Sequence, residues 1–139
     1  DPAIAELGDS DTAKTILRAA NGTLCVISNS RRSGYGYDQR LEAFGSGGAL
    51  RIENLRTNAV AYWRPDGASE APFPFAFPDR YGSAYQAELD HFADVIEQRE
   101  RPKIGFAESL AAIRLADAAQ MSATTGAPVR FNARGKLDV

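Results

Sequence analysis

Tyr35-Gly36-Tyr37-Asp38-Gln39-Arg40-Leu41-Glu42-Ala43-Phe44-Gly45-Ser46-Gly47-Gly48 is the stretch on which the reading of this chain turns. It follows a strand-like run, Thr23 to Ser30, leads into a second apolar run, Leu41 to Phe44, and ends in a glycine turn. In an extended chain successive side chains alternate between faces. Tyr35, Tyr37 and Gln39 then face one way while Asp38 and Arg40 face the other. Two phenols and an amide on one face, entered through Gly36, form a hydrogen-bonding rim suited to a polyhydroxylated ligand. Core strands seldom carry such a set, because every buried hydroxyl needs its own partner.

Upstream of this stretch, Lys14 to Ala19 and Thr23 to Ser30 are joined through Asn21-Gly22, which predicts a two-residue hairpin turn with positive φ at both positions. Downstream, Tyr37 to Phe44 and Ala49 to Glu53 pair across the glycine turn, and Ala59 to Trp63 ends at Arg64-Pro65-Asp66-Gly67, a turn with proline at its first central position. Consecutive strands with short loops predict an antiparallel meander. Ala71 to Pro78 reads as an extended Pro/Phe-rich segment whose prolines keep it out of any central strand.

Two helices follow. Tyr81, Tyr85, Leu89, Phe92 and Ile96 recur at spacings of four and three, which lines one helix face. Ala112, Ala116, Ala119 and Ala123 form a small-residue face on the second helix, which stops at Gly126, with Pro128 barring its resumption. Strands followed by helices, instead of alternating with them, predict an α+β fold: an open, mainly antiparallel sheet with two C-terminal helices packed on one face. No internal repeat or low-complexity tract interrupts this order.

At 139 residues the chain is one domain's worth, long enough to bury a core. A formal charge of -2 argues against nucleic acid or an anionic membrane as partner. No apolar run approaches the roughly 20 residues that span a bilayer, and no signal peptide is visible. The single cysteine, Cys25, excludes an internal disulfide and fits a reducing, cytoplasmic setting. Lying mid-strand with no histidine beside it, Cys25 reads as a small core residue and not as a nucleophile.

The hexapeptide Tyr35 to Arg40, the apolar strand and glycine turn after it, Arg80-Tyr81, Ala84-Tyr85-Gln86-Ala87-Glu88-Leu89 and the Ala-rich helix before Gly126 carry a resemblance. Together they resemble the C-terminal domain of the glucose-fructose oxidoreductase / inositol dehydrogenase family, on its inositol dehydrogenase branch. The match runs from about Asp11 to about Val129. The hexapeptide is fairly specific to the inositol-like branch; the remainder is generic to the family.

The resemblance implies oxidation of a secondary alcohol of a cyclic polyol, with NAD or NADP bound by an N-terminal Rossmann domain and a Lys–His pair acting there. None of that machinery is legible in this chain. A dinucleotide fingerprint needs glycines spaced for a tight turn between a strand and a helix. Gly34 and Gly36 lack a third glycine, and Gly45-Ser46-Gly47-Gly48 leads into a strand. No catalytic, cofactor-binding or metal residue is therefore assigned. Residues 1–139 are expected to be a single C-terminal substrate-binding and oligomerisation domain, excised from a longer enzyme, inactive alone and forming a homo-oligomer through the open sheet face.

Four residues are candidates for substrate contact, and each has a plainer alternative. Tyr37 could be a strand aromatic with its hydroxyl in water, and Tyr35 likewise. Tyr85 lies on the apolar helix face and could be core; the resemblance implies that the tyrosine of Ala-Tyr-x-x-Glu turns toward substrate. Arg80 sits unfavourably near a helix start, which a salt bridge would explain as readily as an interdomain or substrate contact. His91 lies off the apolar stripe and reads as a surface residue; Asp90 and Asp94 could pair with Arg99 or Lys103 and present too few oxygens for a metal. The basic tail Arg130 to Lys136 reads as a solvated end. Two other functions stay open: a purely structural oligomerisation module, and another branch of the family such as a sugar dehydrogenase or a biliverdin-reductase-like enzyme.

Overall fold

In the computed structural model, residues 1–132, 135, 137 and 138 are described. Arg134 and Lys136 of the basic tail lie outside them. The elements run α1 (Pro2–Glu6), β1 (Thr12–Arg18), β2 (Leu24–Ser30), β3 (Leu41–Gly45), β4 (Gly48–Ile52), β5 (Ala61–Arg64), β6 (Gly67–Glu70), α2 (Phe77–Ile96), α3 (Phe106–Thr125), β7 (Arg130–Phe131) and β8 (Leu137–Asp138). The chain is α+β, with antiparallel strand pairs followed by helices, as the order of sequence patterns predicts. It divides into two compact units, Asp1–Gln86 and Ala87–Val139.

In the first unit each strand pairs with its hairpin neighbour: β1 with β2, β3 with β4, β5 with β6. Among the described residues no ladder joins one hairpin to the next. The β1–β2 turn differs from the expected two-residue form. Ala19 N–H donates to Thr23 O at 2.9 Å and Gly22 N–H to Ala19 O at 2.9 Å, while only Gly22 is left-handed, at φ 88. This is a three-residue loop closed by a glycine bulge, and Asn21 instead accepts from Thr23 N–H through its side chain at 3.1 Å. β3–β4 turns at Ser46-Gly47 and β5–β6 at Pro65-Asp66, where the sequence places turn residues.

The segment between β6 and α2 does the tying. Ala71 N–H donates to Val60 O at 3.1 Å, Pro72 O accepts from Thr57 N–H at 3.0 Å, and Pro74 O accepts from Tyr37 N–H at 2.8 Å. Ala71 is buried and Phe73, Pro74 and Ala76 are half-buried. Proline carbonyls still accept although proline nitrogens cannot donate, so this segment binds its neighbours without entering a ladder. Apolar side chains on the hairpins stay open by contrast: Phe44 is 88% and Trp63 79% exposed. Cys25, expected in the core, is exposed on β2, because nothing in this unit covers that strand.

In the second unit α3 ends as its sequence predicts: Gly126 is left-handed at φ 68 and its N–H donates to Ser122 O at 2.9 Å. Its start is held by Glu108, whose carboxylate accepts from Gly105 N–H at 2.8 Å. The buried alanine is Ala118, one residue before the expected Ala119, which is half-buried; Ala112, Ala116 and Ala123 are exposed. On α2, Leu89, Phe92 and Ile96 are likewise exposed, so the apolar stripe exists but is uncovered. His91, read as a surface residue, is half-buried. Its Nδ1 lies 3.0 Å from Glu100 Oε2, and its Nε2 accepts from Lys103 N–H at 3.2 Å, which fastens the loop after α2. Asp94 pairs with Arg99 at 2.7 Å.

Candidate functional site

The hexapeptide departs from the strand expected of it. Gly36 has φ 121, and residues 35–40 precede β3 instead of belonging to it. A Cβ on Gly36 would lie 2.9 Å from Phe73 Cβ and 3.0 Å from Pro74 O. Glycine is needed twice over, for the backbone angle and for the close approach. The turn at Gly36 also splits the tyrosines. Face alternation holds from Tyr37 to Arg40, but Tyr35 is swung onto the Asp38 side, where its hydroxyl donates to Asp38 Oδ2.

Two clusters result. Around Asp38 gather Tyr35, Arg40 and Asn54: Arg40 donates from Nε at 2.8 Å and Nη2 at 2.9 Å, and Asn54 from Nδ2 at 2.6 Å. Arg40 first, then the Tyr35 hydroxyl and the Asn54 amide, hold the Asp38 carboxyl down at about 2. An open depression of about 390 Å³ adjoins this cluster, lined by Tyr35, Asp38, Arg40, Glu53, Asn54, Arg56 and Phe73. Every charged group in it is already paired: Arg56 donates to Ala71 O at 2.6 Å, pairs with Glu70 and lies 4.8 Å from the Phe73 ring centre, and Glu53 pairs with Arg51.

The second cluster forms where Tyr37 and Gln39 meet the start of α2. The Tyr37 ring stands edge-on to Tyr81 at 5.7 Å, with the planes at 87°. The Tyr81 hydroxyl donates to Gln39 Oε1. Loss of hydration first, then the neighbouring Tyr37, holds the Tyr81 hydroxyl proton above the ordinary tyrosine range. Helix α2 bends here: Tyr81 has φ -114 and ψ 16, immediately before Gly82-Ser83, a pair that permits kinking. Tyr85 follows one turn later, 44% exposed. Arg80 makes no ion pair among the described residues; its guanidinium lies 5.1 Å from the Tyr81 ring centre and its buried Nε has no hydrogen-bond partner. No salt bridge among the described residues therefore accounts for Arg80.

Of the four candidates, the structure brings Tyr37 and Arg80 to Tyr81, leaves Tyr85 one turn along, and sends Tyr35 to Asp38. Tyr81, which the sequence places on the apolar stripe and within the Arg80-Tyr81 pair of the family resemblance, was not among the four candidates; its spacing of four from Tyr85 was the available signal. Sequence reasoning missed Asn54, whose side chain is recruited across 15 residues of sequence to Gln39, a contact no local pattern announces.

The Tyr37–Gln39–Tyr81 cluster presents neutral hydroxyls and an amide, whereas the cluster around Asp38 is an ion pair with its supporting hydrogen bonds. Hydroxyls and amides both donate and accept, as a polyol requires. Neither glycine-containing stretch has the shape of a dinucleotide cradle. The close approach at Gly36 is filled by Phe73 and Pro74, and Gly45 to Gly48 form a hairpin end. Among the described residues no group of three or more His, Cys, Asp or Glu could hold a metal, and no helix is long and apolar enough to cross a membrane.

Comparison with known proteins identifies the family. The family described as "Oxidoreductase family, C-terminal alpha/beta domain" matches residues 2–131, and the chain belongs to it. An inositol 2-dehydrogenase from Rhizobium meliloti is 42% identical over 88% of this chain and 37% of its own length. A scyllo-inositol 2-dehydrogenase (NAD(+)) from Bacillus subtilis is 30% identical over 96% of this chain and 39% of its own. The crystal structure of a myo-inositol dehydrogenase from Corynebacterium glutamicum superposes with a TM-score of 0.85 at 40% identity, covering 91% of this chain and 38% of that one. The chain thus spans little more than a third of the length of these relatives.

Proposed function

We infer that the chain is the C-terminal domain of an NAD-dependent oxidoreductase that oxidises a secondary alcohol of an inositol-like cyclic polyol to a ketone. The observation that carries this is the meeting of Tyr37, Gln39 and Tyr81, three neutral hydrogen-bonding side chains drawn from two distant segments. Family membership and inositol dehydrogenase relatives at 30–42% identity support the substrate class. Tyr37, Tyr81 and Tyr85 would form one wall of the pocket, their hydroxyls bonding ring hydroxyls so that the reacting carbon is held in one orientation. Arg80, with its unpartnered Nε, would meet the substrate or a preceding domain. Tyr35 is a weaker wall residue, since its hydroxyl already serves Asp38.

Residues 1–139 act in this reading as a single substrate-binding and oligomerisation domain. The nicotinamide cofactor, NAD or NADP, is held by an N-terminal Rossmann domain, which also carries the catalytic groups. The lone Cys25 fits a cytoplasmic enzyme. The test is an NAD reduction assay with myo-inositol. Turnover is expected from the longer enzyme and not from residues 1–139 alone; turnover by the 139-residue chain would overturn the division of labour, and an inert longer enzyme would overturn the substrate class.

A further inference from the structure

We propose that Asp38 and Asn54 are positioning residues: a clamp that holds Gln39 and Tyr37 toward Tyr81 and so sets polyol affinity. The proposal rests on reading Tyr37 as a substrate-facing residue. Residues 35–40 lack the ladder hydrogen bonds of a strand, and the chain enters them through a left-handed glycine, so their direction must be imposed from elsewhere. Two anchors do this. Pro74 O takes the Tyr37 N–H at 2.8 Å. Asn54 takes the Gln39 N–H on its Oδ1 at 2.8 Å, while its Nδ2 donates to Asp38 at 2.6 Å.

Asn54 is thereby oriented. Its amide must keep oxygen toward Gln39 and nitrogen toward Asp38, and only an ionised carboxylate accepts from Asn54, Arg40 and Tyr35 together. Backbone alternation then delivers the Gln39 side chain to the opposite face, where its Oε1 accepts from the Tyr81 hydroxyl. Asp38 reaches the pocket through Asn54 and Gln39, not by its own contact.

The experiment uses the longer enzyme that carries this chain, in four variants: Asp38→Asn, Asn54→Asp, the exchanged double variant, and Tyr37→Phe as reference. Asp38→Asn puts an amide NH2 where Arg40, Tyr35 and Asn54 need an acceptor, and Asn54→Asp sets carboxylate against carboxylate. Each single exchange should raise the KM for myo-inositol about tenfold, with the KM for NAD held, as misplacement of a positioning contact does. The double variant restores an amide–carboxylate pair and should recover KM to within about threefold. Should a single variant fail to fold, Asn54→Ala, which removes only the Gln39 and Asp38 contacts of one side chain, carries the same measurement. Unchanged KM in the single variants, or no recovery in the double, overturns the clamp while a Tyr37→Phe defect leaves the site reading standing. Normal kinetics in Tyr37→Phe overturns both.

Discussion

Tyr37 meets Tyr81 by ring edge, so its ring and its hydroxyl have separable duties. Tyr37→Phe in the longer enzyme keeps the edge-to-face contact and removes one hydroxyl. Loss of a neutral hydrogen bond should cost about 0.5–1.5 kcal/mol, or more if a substrate hydroxyl is left buried and unpaired. The cost is expected in kcat/KM for the polyol, with thermal stability and NAD affinity nearly unchanged. A packing tyrosine would show the reverse, a lowered melting temperature with normal kinetics. Residue identity made Tyr37 a visible candidate, since a tyrosine on a polar face is rare in a core strand. Its neighbour in space, Tyr81, was concealed within an apolar periodicity that it shares with Leu89 and Phe92.

Gly36 shows how an element is decided by one backbone angle. The alternation of Tyr35, Tyr37 and Gln39 reads as a strand, and the structure begins β3 only at Leu41. Gly36→Ala would have to hold φ 121 and place a methyl 2.9 Å from Phe73 Cβ. A strained non-glycine angle costs on the order of 1–3 kcal/mol before the clash is added. Denaturant unfolding of the 139-residue chain should shift by at least that much, and a stability equal to wild type would mean that the loop relaxes into the expected strand. Elements closed by local chemistry were legible: α3 stops at Gly126, and the hairpin ends fall at glycine and Pro-Asp. The Asn21-Gly22 turn was located correctly but mistyped, because the choice between a two- and a three-residue loop depends on the pairing of Ala19 with Thr23.

At the scale of the whole molecule, the uncovered apolar side chains have a consequence. Phe44, Trp63, Leu89, Phe92 and Ile96 are all more than half exposed. Apolar area left in water favours association at about 25 cal/mol per Å² buried. The isolated chain should therefore self-associate, which light scattering would detect as a mass above 15.0 kDa that rises with concentration. Trp63, the single tryptophan, should report the same event by a blue shift of its emission. A concentration-independent monomer with an unshifted Trp63 would remove the oligomerisation role.

The sequence by itself determined the α+β class, the hairpin ends, the helix stop at Gly126 and the lack of a dinucleotide fingerprint. The turns, the helix stop and the fingerprint depend on residues within a few positions of one another, where glycine, proline and apolar spacing act directly on the backbone, and the class follows from the order of those local patterns along the chain. Only the tertiary structure decided that Tyr35 turns to Asp38 while Tyr37 turns to Tyr81, that Asn54 reaches Gln39, and that Cys25 and the Ala112 face stay open. The Asn54–Gln39 and Tyr37–Tyr81 contacts join positions 15 and 44 residues apart, and Tyr35 is turned by the packing of Gly36 on Phe73 and Pro74; geometry across such separations leaves no periodic trace in the chain.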